Sequence, residues 1–400
     1  MKRIVALPIV ALVAWATASL SAQETAYGDY VRALRAKGYA DLALEAIDRY
    51  FPRVPANQRP ALELERILAR RDLRMFANGS GERKKSLDQA MIDLERIMRE
   101  RPQRFLAGVA QLERGRCLAS QFRDHTDRGF LLRELVEGPG ELIKAYDCIV
   151  QARRDTGEAL ETIQAEWAKQ GKPDKLQPIV RDARLFHARV RLELASTYGP
   201  LRKSLKERSE LVVRAVADLE FLAAEDQRDP LCWEAAAWEM RAYQIIEDHL
   251  VAKKFGDVLF RSREEAAESG RRLVEFFRFQ EKNDPRSRTP RSEIISLGNV
   301  WLERYCGPRH TQEEIAVRYT LAEAYLREGW EIGRERVGAK TVLRPKARVA
   351  LSQAQDMYKS LKEAPGELAD DARTTLPWLE KLLTADDVTK LLDNPKLALP

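Results

Sequence analysis

VRYTLAEAYLREGW (317–330) and, beyond a basic connection, ARVALSQAQDMYKSL (347–361) decide how this 400-residue chain is read. Ala322 sits beside Leu321 and Tyr325 at helical spacing, and Ala354 stands one turn before Tyr358. Residues three and four apart share one face of a helix. A small residue beside a large apolar one lets a second helix come close, so the two segments predict a packed pair of helices.

Working outward, the same texture covers most of the chain. Leu87, Ala90, Met91, Leu94, Ile97 and Met98 form one apolar stripe, with Lys84, Asp88, Glu95 and Arg99 on the opposite face. Val212, Ala215, Val216, Leu219, Leu222 and Ala223 form another. Runs of alternating β-branched residues are nearly missing, so the pattern predicts helices and almost no strand. Gly79-Ser80-Gly81 predicts a break. Gly138-Pro139-Gly140 predicts the start of a long helix ending before Gly171 and Pro173, with Leu142, Tyr146, Ile149, Leu160, Ile163 and Trp167 as its stripe. Gly199-Pro200, Asp229-Pro230, NDPRSRTPR (283–291) and Gly307-Pro308 predict further connections, and a last helix is expected over 376–383, led by Pro377 and Trp378.

Composition limits the possible functions. The chain is 44% hydrophobic and 32% charged, with both signs interspersed and a net charge of +6. That is ample for a large core, and a weak, dispersed excess of positive charge argues against nucleic acid as partner. Residues 1–22 have the parts of a secretory signal: Lys2 and Arg3, an apolar run from Ile4, and small residues toward Ala18 and Ala22. The run contains Pro8 and falls short of the ~20 residues of a comfortable membrane span. No other stretch predicts an integral span. The expectation is an exported protein, periplasmic or extracellular, with an uncleaved anchor as the alternative. Cys117, Cys148, Cys232 and Cys306 show no zinc or disulfide-scaffold spacing, and buried thiols are expected, with a Cys117–Cys148 bridge as the alternative if their helices are neighbours.

Tyr30, Val31, Leu34, Ala43, Ile47, Tyr50 and Pro55 fall at the characteristic positions of a tetratricopeptide repeat. Ala90, Leu94, Ile97 and Pro102 resemble the back half of a second repeat. Leu321, Ala322, Tyr325, Ala354 and Tyr358 resemble a third, with about twenty extra residues between its helices. Pro55 and Pro102 lie further apart than the ~34 residues of a strict array. The chain thus resembles a degenerate, tetratricopeptide-like α-solenoid. Its texture is also similar to that of exported helical-repeat proteins of Gram-negative-type bacteria. The resemblance implies an all-α, right-handed array of antiparallel helical hairpins that binds a protein or peptide.

Catalytic and cofactor signatures do not emerge. His125, His187, His249 and His310 are dispersed, and the HExxH, GxSxG, GxGxxG and P-loop patterns are missing. His187 is expected to be a partly buried structural residue, and His125 and His310 to be solvated. Glu264-Glu265, Glu313-Glu314, Asp370-Asp371 and Asp386-Asp387 are adjacent acids that point different ways on a helix. Glu313-Glu314 after Thr311 suits a helix start. The tryptophans are expected in the core. One charge cluster stands above background: Arg334, Arg336, Lys340, Arg344, Lys346 and Arg348 against the single acid Glu335. Pro345 in its midst predicts a loop, which is either a solvated connection or a dock for an anionic partner.

The reading divides the chain into a signal peptide (1–22), a helical array (23–282), a loop-rich segment (283–312), a helical pair with a closing helix (313–384) and a tail (385–400). It predicts a non-catalytic extracytoplasmic scaffold for protein–protein interaction, with no cofactor and no metal. Two rivals remain: an enzyme acting on envelope polysaccharide, and an adaptor in peripheral contact with an anionic polymer or membrane surface.

Overall fold

The computed structural model describes residues 28–35, 37–75, 80–100, 103–132, 137–198, 202–284, 287–307, 311–337, 340–386 and 388. The leader, His310 and most of the tail lie outside these. The described residues are helical with one small hairpin of strands. In order they form α1 (28–35), α2 (Ala40–Tyr50), α3 (Arg59–Met75), α4 (Ser80–Arg99), α5 (Arg104–Leu131), α6 (Glu137–Lys169) and α7 (Gln177–Thr197). Then follow α8 (Arg202–Ala223), α9 (Pro230–Ile245), α10 (His249–Arg261), α11 (Ala267–Asn283), α12 (Arg291–Tyr305) and α13 (Gln312–Ile332). Strands β1 (Arg334–Val337) and β2 (Lys340–Leu343) precede α14 (Pro345–Ser360) and α15 (Glu367–Thr384). None of the described helices is long and apolar enough to cross a membrane.

Helix starts follow local chemistry. The first turn of a helix has unpaired N–H groups, and a side-chain oxygen just ahead of it satisfies one. Asp229 accepts from Leu231 N at 2.9 Å to open α9, with Pro230 as the first residue. Asp248 caps α10 through Val251 N at 3.2 Å, and Thr311 caps α13 through Glu314 N at 3.2 Å.

The chain divides into two compact units, Met1–Leu118 with Asp155–Pro173, and Ala119–Arg154 with Asp174–Pro400. The division falls inside α5 and α6. In the first unit α2 packs on α3 and α3 on α4. Val31, Ala43, Ile47, Val54, Leu62 and Ala69 form one core cluster; Leu64, Ile67, Leu68, Leu87, Ala90, Leu94 and Ile97 belong to another. In the second unit each helix from α7 packs on its successor, and α9 also packs on both α7 and α11, as α13 does on α15. One continuous core from Leu185 to Val388 results.

The pair 317–330 and 347–361 packs as its spacing predicts. α13 lies on α14 with Leu321, Ala322, Ala354 and Tyr358 fully buried. The approach is close at Gly329, where a Cβ would come 2.7 Å from Leu351 Cγ.

Several expectations need correction. Two helices do meet near the expected break, α3 ending at Met75, but α4 already includes Ser80 and Gly81. Leu142 and Tyr146 are 50% and 40% exposed, so only the later part of that stripe is core. The last helix starts at Glu367 behind Gly366, whose φ of +106° favours glycine, and Pro377 sits inside it. The expected basic loop contains the β1–β2 hairpin, paired antiparallel as Arg334↔Leu343, Glu335↔Val342, Arg336↔Thr341 and Val337↔Lys340. Three consecutive charges, Arg334, Glu335 and Arg336, hide the strand alternation there. Val388 extends this corner by donating its N–H to Thr341 O at 2.9 Å while fully buried.

Candidate functional site

The six basic residues singled out from sequence are spread over two strands and the start of a helix: Arg334 and Arg336 belong to β1 and Lys340 to β2. Arg344 is the residue ahead of α14, and both it and Lys346 are exposed. Arg348 donates from Nη1 to Leu383 O at 3.0 Å, satisfying a carbonyl in the last turn of α15.

The histidines and cysteines have structural settings. His187 is buried, and burial, then Arg191 and Arg153, pushes it down to about 3, so it is neutral. His125 is not solvated: it lies on α5 with Nδ1 2.6 Å from Glu141 Oε2. Cys117 and Cys232 are buried, but Cys306 is exposed, contrary to expectation. Its sulfur lies 2.8 Å from Arg318 Nη2 and 3.1 Å from Glu314 Oε1. Burial pushes this thiol up, away from a reactive thiolate. Trp233, Trp238 and Trp301 are in the core, as aromatics between helices usually are. Asp370 pairs with Arg373 whereas Asp371 accepts from Tyr319 at 2.8 Å, so adjacent acids do diverge.

Among the described residues, no group of three His, Cys, Asp or Glu side chains is arranged to hold a metal ion. A recess of about 420 Å³ lies between α3 and α4 in the first unit, lined by Ile67, Arg70, Arg71, Ser86, Gln89, Ala90 and Asp93. It is the weaker candidate, because Arg71, its most buried charge, is already engaged by Asp72 at 2.8 Å and Glu113 at 2.9 Å.

The second unit holds a better one. Asp182, Arg189 and Glu193 are spaced to share a face of α7, and Glu234, Trp238 and Arg241 a face of α9. The Arg189 guanidinium lies 4.8 Å from the centre of the Trp238 ring. Trp238 meets Phe277 of α11 edge-on at 4.9 Å, and Arg241 lies 5.6 Å over Phe277. Arg123 of α5 reaches the same region, donating to Gln312 at the start of α13 and to Glu193 at 3.2 Å. Polar groups of α5, α7, α9 and α13 thus meet the aromatic rings of α9 and α11.

The electrostatics of this face are unbalanced. Burial and then Arg123 push the Arg189 guanidinium below its ordinary range, against Glu193, Glu313 and Glu234. Burial pushes the Glu234 carboxyl up, with Arg189 and Arg272 opposing and Glu313 and Asp182 reinforcing. Glu234 thus feels Arg189, Arg272 and Glu313, yet among the described residues none of the four closes a side-chain hydrogen bond or an ion pair within 4.0 Å. Along the face toward α15, Asp127 is pushed up to about 7 by burial, then Asp124 and Glu367, with Arg123 opposing. Arg128 meets Glu367 at 3.5 Å, and Tyr358 donates to Glu323 at 2.6 Å. Such a face can offer donors and acceptors to a ligand and exchange a proton near neutral pH.

Sequence reading took Glu313 as a helix-start acid and the tryptophans as core, and passed over Arg189, Glu234 and Arg272. The signal that would have found them is a charge standing on an apolar stripe, as Glu234 and Glu239 do in CWEAAAWEM. No protein-family model and no curated protein sequence matches this chain.

Proposed function

We propose that this protein is an exported, tetratricopeptide-like scaffold that holds a protein or peptide partner and catalyses no reaction on it. In this reading the helices form antiparallel hairpins stacked in a right-handed array, which buries a continuous core and leaves a repeated face for a ligand. The succession of helices, each packed on its neighbours and several on the next but one, supports the array. The leader supports export.

The observation that carries the proposal is the row of half-buried, unclosed charges across α7, α9, α11 and α13. Isolated buried charge is costly, so a protein retains it where something compensates for it. Crosslinking the mature protein in its native envelope, then identifying the adducts, tests the reading. Recurrent adducts with one or a few proteins are expected. Adducts with polysaccharide or lipid alone would overturn it.

A further inference from the structure

The recess between α3 and α4 gains nothing from Arg71, but other groups of its lining stand open. Ile67, Arg70 and Arg71 lie three and four residues apart on α3, and Ser86, Gln89, Ala90 and Asp93 continue that spacing over two turns of α4. They are the facing stripes of two packed helices. Ile67 and Ala90 form the apolar floor, buried as members of the core cluster of this unit. Arg70 and Gln89 are exposed at the rim, and Asp93 is half-buried.

The neighbouring arginines are taken. Arg66 pairs with Glu63 at 2.9 Å and Asp48 at 3.0 Å, Arg96 with Glu63 at 3.5 Å, and Arg114 with Glu95 at 3.5 Å. By contrast, the side chains of Arg70, Ser86, Gln89 and Asp93 make no hydrogen bond among the described residues, and neither charge has an ion pair within 4.0 Å. The Glu63–Arg96 contact also orients the lining. Arg96 is one turn beyond Asp93 on α4, so Asp93 lies toward the Glu63 end of the recess. Arg70, two turns along α3 from Glu63, lies toward the other end. One open cation and one open carboxylate thus stand apart across the same concavity.

We propose that this recess binds a free α-amino acid, with its carboxylate on Arg70 and its ammonium on Asp93. The site is independent of the scaffold reading. Charge decides the class of guest. Two carboxylates would bring one against Asp93, two ammonium groups would bring one against Arg70, and a zwitterion satisfies both ends. The guanidinium can give a carboxylate two parallel N–H donors, and the ammonium donates to the aspartate. Between them the side chain of the guest lies over Ile67 and Ala90, beside Ser86 and Gln89. Size favours a single amino acid over a longer peptide, because 420 Å³ is near the lower end of the roughly 300–1,000 Å³ of small-molecule sites.

Calorimetric titration of the full mature chain with leucine, N-acetyl-leucine, leucine amide and leucyl-leucine tests the site. N-acetyl-leucine lacks the ammonium, leucine amide lacks the carboxylate, and leucyl-leucine holds its two charges farther apart. Leucine should bind at least about tenfold tighter than each of the others, the loss expected for one charge-assisted contact. Arg70→Gln and Asp93→Asn should each weaken leucine about tenfold, with circular dichroism and thermal midpoint unchanged because neither residue closes a contact in the fold. Arg70→Gln should leave the weak binding of leucine amide as it is, and Asp93→Asn that of N-acetyl-leucine, tying each end of the guest to its own residue. No saturable binding of leucine, equal affinity for the blocked forms, tighter binding of leucyl-leucine, or wild-type affinity in either variant would each overturn the proposal. Loss of the crosslinked partner in the Arg70→Gln/Asp93→Asn double variant would give the recess to that partner, and would overturn the amino-acid site while leaving the scaffold reading standing.

Discussion

Ala322 has no exposed surface and lies where α13 meets α14. Ala322→Trp should therefore cost ~1–3 kcal/mol by overpacking, read as a lower thermal midpoint, whereas Lys346→Ala on the exposed start of α14 should change it by less than ~0.5 kcal/mol. Glu323→Ala should also lower the midpoint, because Glu323 accepts the hydroxyl of fully buried Tyr358. Glu239 gives a prediction with a sign. It is 2% exposed with Oε1 unpartnered, and burial and then Glu220 push it up to about 7. The native state thus keeps a proton that the unfolded chain releases near 4.5, so stability falls as pH rises from there to about 7 and is flat beyond. Glu239→Gln should abolish that loss and raise stability at pH 8 by roughly 2–3 kcal/mol, with little effect at pH 4, in denaturant melts at the two values. At this scale the small-beside-large positions were legible. Glu239 was not, because an acid every few residues is the ordinary mark of a wet face.

Helix ends were legible wherever a side chain caps them. Thr311→Ala should cost about 1 kcal/mol by leaving the Glu314 N–H of α13 without its acceptor, and Thr311→Ser should cost far less. The ends that sequence missed lack such a residue. α15 begins behind a glycine of positive φ, and proline, a frequent first residue of helices, misplaced its start at Pro377. The hairpin was illegible because β1 carries three charges in a row and each strand is only four residues long. The basic segment also splits by role. Arg348→Ser should lower stability by about 1 kcal/mol through the freed Leu383 carbonyl, while Lys346→Ser should be near neutral in the same melt.

For the whole molecule, helical content and neighbour-on-neighbour packing were written in the periodicity. The division into units was not, since it falls within α5 and α6, where the apolar pattern continues without punctuation. Export has a direct readout: N-terminal sequencing of the secreted or periplasmic fraction should begin between Ser19 and Gln23, and an intact Met1 in the membrane fraction would point to the anchor. The second unit is also bound together across long stretches of chain. Arg123 on α5 meets Gln312 on α13, and Arg128 meets Glu367 on α15. A stack of helices with neighbour contacts alone can fold from one end as it emerges. This unit cannot finish that way, because α5 must wait until α15 has been made before its last partner exists. Folding should therefore have a slow closing phase that starts only when the C-terminal helices are present, as expected when contacts of large sequence separation set the barrier.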